Sequence, residues 1–290
     1  MRTIIIIILV AISNCAIAQQ NEILFGKVNK IAGGFKFAEG PTSSKDGTVY
    51  FSDIPNDIVY KLGKNNELTK VTTESNWANG LFFSPDNELI ACAMTSRQVV
   101  KIRKDGSQEP IATRFNGKRF TGPNDLWVNQ KGHVFFTDPA YYKDKSQREI
   151  FVEAVYVVID GENKQLISDL VRPNGLVGSI DGKYLYVVED ADSRTWRYNI
   201  TENSELTNKT LFANVGDDGL TLDKDGRVYI VNKYDKTVDV FTSEGELINK
   251  VVIPETPTNV CFGGPNFHQL FITTPSSLYS VTTSTKGQRP

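Results

Sequence analysis

Apolar and polar positions along this chain fall into a repeating pattern. Six segments each read as an apolar strand, a turn rich in Asp, Asn and Gly, and a second apolar strand: 40–53, 80–93, 125–138, 175–189, 219–232 and 259–274. Val, Ile, Phe and Tyr alternate with smaller or polar residues in these runs, as half-buried antiparallel strands require. Clusters such as Lys45-Asp-Gly, Pro85-Asp-Asn and Lys224-Asp-Gly supply the reversals. A third apolar run follows each hairpin (57–62, 98–103, 154–159, 195–200, 237–241 and 278–281), and a fourth follows the first five (68–72, 110–113, 165–170, 210–215 and 247–253). No long amphipathic helical pattern competes. The repeats recur about every 44 residues, the spacing of propeller blades. The pattern predicts an all-β chain, a six-bladed β-propeller of four-stranded antiparallel blades. The sixth repeat lacks a fourth run. Residues 26–31 resemble the missing piece and are expected to close the ring as the outer strand of the last blade, which protects an open edge.

The first residues change the picture of where the protein works. Arg2, an apolar stretch from Ile4 to Ile12 and the small-x-small Ala16-Ile17-Ala18 have the order of a secretory signal. Residues 1–18 are therefore expected to be a signal peptide and 19–290 a single propeller domain, exported to the periplasm or secreted. The apolar stretch is too short to span a bilayer comfortably, so no membrane span is expected after cleavage. A retained anchor and lipidation at Cys15 are the alternatives. Net charge is −2 and no basic stripe occurs, which argues against a nucleic-acid partner. Cys92 and Cys261 lie in strands of repeats that are not neighbours around a ring, and are read as buried thiols although export permits disulfides.

One repeat is stretched, with its excess at 139–152. Insertions in repeat folds gather on one face, often the binding face. This loop leaves a second strand, so it should overhang the central opening, with Tyr141 and Tyr142 as candidates to wall a pocket.

A polar residue stands at the head of each repeat: Glu39, Asn79, Asn124, Asn174, Asp218 and Asn259. Inner strands of a propeller line its channel side by side, so these six should meet at one mouth. Oxygen-bearing side chains with two or three carboxylates suit a hard divalent cation such as calcium. Magnesium and manganese remain open, while zinc is disfavoured because no His or Cys belongs to the ring. Each residue could instead merely cap a turn. Both histidines, His133 and His268, fall at hairpin turns, at the other end of the inner strands. A Ser-His-Asp or Cys-His mechanism is therefore not expected, and there is no G-x-S-x-G, G-x-G-x-x-G or P-loop.

Glu39-Gly-Pro, Pro-Asn124-Asp-Leu, Pro-Asn174-Gly-Leu, Asp218-Gly-Leu and Pro-Thr-Asn259-Val-Cys-Phe-Gly-Gly together resemble the regucalcin/gluconolactonase family of six-bladed propellers, over essentially the whole of 19–290. Gly122-Pro-Asn-Asp-Leu with the following Phe-Thr-Asp-Pro, and the closing Thr-Asn259-Val-Cys-Phe-Gly-Gly, look most like bacterial gluconolactonases. The resemblance implies a metal-dependent hydrolase opening sugar lactones to aldonic acids. It implies one divalent cation, calcium first and magnesium, manganese or zinc as alternatives, on Glu39, Asn174 and Asp218. Asp218 is implied as general base and acid, Asn124 as substrate contact or further ligand, and Arg119 as a substrate-binding arginine. The family often has Pro where this chain has Asp217, which is expected to face solvent. Hydrolysis of other lactones or phosphotriesters on the same metal, and a non-catalytic binding module, are the competing functions. Trp77 and Phe37, each two residues before a ring position, are the aromatic side chains placed to stack on a sugar.

Overall fold

The computed structural model describes residues 23–63, 65–141 and 145–288; the expected signal peptide and Tyr142 lie outside them. The described chain forms six four-stranded antiparallel sheets. Their innermost strands are Ala38–Ser43, Ala78–Phe83, Leu126–Val128, Pro173–Gly178, Leu220–Leu222 and Asn259–Gly263, and each packs against the next until the sixth meets the first. This is the expected six-bladed propeller. The last blade takes its outer strand from the N-terminal side: Asn29–Gly33 pairs antiparallel with Ser277–Thr282. An added two-stranded hairpin, Arg114–Phe115 with Lys118–Arg119, stands between blades two and three.

The second strand of each blade is buried over most of its length, as Val228–Asn232 and Leu89–Ala93 are throughout. Burial on both faces explains why these runs are nearly continuous in apolar residues, since each blade is covered by a neighbour on either side. Aromatic side chains fill the gaps between blades, for instance Phe120, Phe136 and Tyr156 with ring centroids 5.1–5.4 Å apart. Cys92 and Cys261 are buried free thiols.

The glycine that follows most ring residues has its own structural cause. A Cβ on Gly80 would overlap the Asp125 carboxylate, and one on Gly219 would overlap the Asn259 amide. These positions let the next inner strand approach closely. Hydrogen bonds complete the joints: the Gly80 N–H donates to the Asn124 carbonyl at 2.8 Å, and the Thr137 hydroxyl donates to the Asn174 carbonyl at 2.8 Å.

The C-terminal segment reaches the hairpin-turn end of the channel, where Gly287 bridges Asp223. The chain after blade six crosses this face, and the Gln288 amide donates to the Gly178 carbonyl at 2.8 Å. Above it lies a cavity of about 80 Å³ lined by Phe83, Trp127, Val260, Phe262 and Gln288. The two histidines sit at that end, His133 against the Ser204 hydroxyl and His268 against the carbonyls of Thr283 and Thr285.

Candidate functional site

At the opposite end the six heads of the inner strands come together, and the loops leading into them are tied down by carboxylates. Asp53, ending the second strand of blade one, accepts from the Lys36 and Phe37 N–H groups, both at 3.1 Å, just before Glu39. Asp138 accepts from Thr121 and Gly122 at 2.8 and 2.6 Å, just before Asn124. Glu189 accepts from Val171 at 2.9 Å, just before Asn174. Each carboxylate thus serves as an anchor for the segment that delivers a ring residue. Blade five reverses the arrangement. Asp217 is 2% exposed and accepts from the Ser193 hydroxyl at 2.5 Å and the Lys233 N–H at 3.0 Å. The expectation that Asp217 faces solvent is overturned; its carboxylate is the fastener of this blade.

Glu39, Asn79, Asn124, Asn174, Asp218 and Asn259 keep only 3–7% of their surface in solvent. Glu39 Oε2 accepts from its neighbour Gly40 at 2.8 Å and from the Asn259 amide at 3.1 Å. The Glu39 and Asp218 carboxyl groups are both buried and each shifts the pKa of the other, so residues far apart in sequence are brought close together. Burial first, then the Asp218 charge, pushes the Glu39 carboxyl well above the usual range. Burial also raises Asp218, with Lys233 opposing it. Just below, Asp125 is pushed up to about 7 by burial, with the Asp218 charge adding to the rise. Three carboxyl groups crowded out of water is a costly arrangement unless positive charge joins them.

Two flanking groups complete the mouth. The Asn174 Nδ2 donates to the Tyr141 hydroxyl at 2.9 Å, and that hydroxyl donates to Asp190 Oδ2 at 3.2 Å. Tyr141 therefore walls the site, as expected of the stretched loop. The Lys233 ammonium lies 2.8 Å from Asp218 Oδ2. Asp218, Glu39 and Asp190 hold its pKa above the usual lysine value although burial works against the charge.

The remaining candidates divide. Asn124 is in the ring, and its side chain makes no hydrogen bond among the described residues. Asn79 donates to the Met94 sulfur at 3.6 Å. Arg119 is exposed on the added hairpin, and its guanidinium and backbone N–H are both held by Glu149. Phe37 and Trp77 are exposed at the rim, and Trp127 is buried in the core.

The donor set fits an oxygen-seeking cation. Tyr141 takes the Asn174 NH₂, which leaves the amide oxygen for a ligand, and Glu39 with Asp218 supplies carboxylate oxygens that lack a full complement of charge. No cluster of three His, Cys, Asp or Glu side chains in metal-holding geometry occurs among the described residues. The set is two carboxylates and an amide.

The model of the "SMP-30/Gluconolactonase/LRE-like region" matches residues 37–276. The chain belongs to this family. A gluconolactonase of Zymomonas mobilis is 27% identical, over 90% of this chain and 82% of its own length. The solved structure of a gluconolactonase of Xanthomonas campestris superimposes with a TM-score of 0.82 at 26% identity, covering 88% of this chain and 89% of that one. The calcium-binding protein regucalcin of Agrobacterium tumefaciens superimposes with a TM-score of 0.77 at 18% identity, covering 91% of this chain and 96% of that one, and shares the fold. Within the SMP-30/gluconolactonase family frame, the sequence reading missed Lys233 and Asp190. Both stand immediately after the second strand of their blades, as Met94 does in blade two. That position repeats in phase with the ring and could have been read from the same alignment of repeats.

Proposed function

We propose that this protein hydrolyses sugar lactones of the gluconolactone kind to aldonic acids, with a divalent cation, calcium first, held by Glu39, Asn174 and Asp218. The observation that carries the proposal is the convergence of the buried Glu39 and Asp218 carboxyl groups, with Asn259 on the first and Lys233 on the second, at the mouth of the channel. The gluconolactonase relatives support the substrate class, and the calcium-binding regucalcin supports the choice of ion.

When bound, the cation supplies positive charge at the lactone carbonyl oxygen, where negative charge develops as water attacks. Asp218 takes the proton of the attacking water and returns it to the ring oxygen as the carbon–oxygen bond breaks. Its burial raises its proton affinity, which suits a base that must also act as an acid. Asn124, with its amide uncommitted among the described residues, contacts the substrate. Tyr141 holds Asn174 in the orientation that offers its oxygen. The substrate approaches the ring through the rim that carries the exposed Phe37 and Trp77. Arg119 can take part only by leaving Glu149.

Residues 1–18 are proposed as the export signal, giving a mature protein that begins at Gln19. Its N-terminal sequence after secretion tests this. The function is tested by Asp218→Ala, which should abolish lactone turnover while circular dichroism shows an intact propeller. Turnover near the wild-type rate would refute the role of Asp218.

A further inference from the structure

We infer that the Lys233 ammonium and a divalent cation compete for Asp218, so that metal binding moves the lysine off the carboxylate. The inference rests on the reading that Glu39, Asn174 and Asp218 bind a cation. It goes further by naming the group that binding displaces.

Lys233 Nζ occupies Asp218 Oδ2 at 2.8 Å, on one of the oxygens a cation would need. Three acidic groups face the ammonium: Asp218, Glu39 and Asp190. In the absence of metal it is the positive charge that joins the crowded carboxyl groups. A divalent ion brought to the same oxygens would repel it across a few ångströms of a poorly screened pocket.

The geometry allows the side chain to leave and prevents the backbone from following. The Lys233 N–H is fixed on Asp217 Oδ2 at 3.0 Å, and Asp217 is in turn fixed on Ser193. The Lys233 side chain keeps 33% of its surface in solvent, so it has an open path from the pocket. Asp190 offers a second acceptor in the same mouth, already bound by Tyr141 and lying 3.5 Å from Arg172. A metal on Glu39 and Asp218 would leave Asp190 as the acidic group still facing the ammonium.

Calcium alone, titrated by calorimetry into the dialysed full-length mature protein, tests this. Lys233→Met keeps the apolar stem and removes the charge. Its calcium affinity should rise by about tenfold or more, because one unit of like charge is gone from the pocket. Lys233→Arg should not show the gain. Thermal melts supply the second readout. Without calcium, Lys233→Met should melt below the wild type, and calcium should raise its melting temperature more than it raises that of the wild type. A purely structural lysine would lower both melting temperatures alike and leave affinity unchanged or weaker, and that result overturns the inference, as does failure of both proteins to bind calcium. Lactone turnover plays no part in this test. The expected binding pattern in a protein that opens no lactone would leave the competition standing and end the lactonase reading.

Discussion

The amide of Asn174 points its NH₂ at the hydroxyl of Tyr141, 2.9 Å away, while that hydroxyl is committed as a donor to Asp190. The chain of donors fixes which end of the amide faces the channel. An amide free to flip would offer nitrogen as often as oxygen to an approaching cation. Tyr141→Phe removes the arbiter without emptying the wall of the site. Calcium affinity measured by calorimetry should fall about tenfold, the usual cost of losing a partner that orients a metal ligand. An unchanged affinity would mean that Asn174 does not bind the ion.

Trp77 offers a test of the substrate side. Its backbone sits at φ 53°, next to Asn76 at φ 57°, conformations that cost a non-glycine residue energy. The Asp57 carboxylate holds the strained segment, accepting from the Trp77 N–H at 2.7 Å and the Ser75 hydroxyl at 2.8 Å. The result is an indole left 43% exposed at the rim, two residues from Asn79. A surface that stacks on a sugar binds ground state and transition state alike. Trp77→Ala should therefore raise KM for gluconolactone about fivefold with kcat nearly unchanged. A fall in kcat at constant KM would place Trp77 in another role.

Much of this was legible before any coordinates. The repeat of strand, Asx-Gly turn and strand fixes six blades because burial on two faces demands continuous apolar runs at blade spacing. Closure by an N-terminal strand follows from one missing run. The gathering of Glu39, Asn79, Asn124, Asn174, Asp218 and Asn259 at one mouth was readable because they share a phase in the repeats. Asp217 was not, because a carboxylate beside a site looks the same in sequence whether it meets water or two hydrogen-bond donors from neighbouring loops. Lys233 was missed because its importance lies in a contact between blade positions that sequence places 15 residues apart in register, Asp218 before the first strand of the hairpin and Lys233 after the second. The fastening role of Asp53, Asp138 and Glu189 was hidden for the same reason: they read as strand ends, while their function is to hold a loop from earlier in the chain.

The crowded carboxyl groups also predict a pH dependence. Asp125 has its pKa pushed up to about 7, against about 3.9 in an unfolded chain. The folded state then binds more protons than the unfolded state through that window, so stability falls as pH rises from about 4 to about 7. The raised Glu39 acts in the same direction. Glu255, held down to about 2 by hydroxyl donors from Ser277, Ser276, Thr274 and Tyr279, acts oppositely: its contribution is present above about pH 4 and is lost as pH falls toward 2. Metal-free protein should be most stable near pH 4–5 and melt at a lower temperature at pH 7.5 than at pH 5. Calcium favours the charged carboxylates and should shrink that difference. Melting temperatures at the two pH values, in dialysed protein with and without added calcium, check the sign of both effects.

The most direct test is gluconolactone hydrolysis by dialysed protein, wild type and Asp218→Ala, with calcium added back. Expected is a wild type that is nearly inactive when stripped and regains turnover with calcium, and a variant that stays folded and inactive under both conditions. A stripped wild type that opens the lactone at full rate, or a variant that calcium restores, would contradict the convergence of Glu39, Asn174 and Asp218 on one catalytic ion.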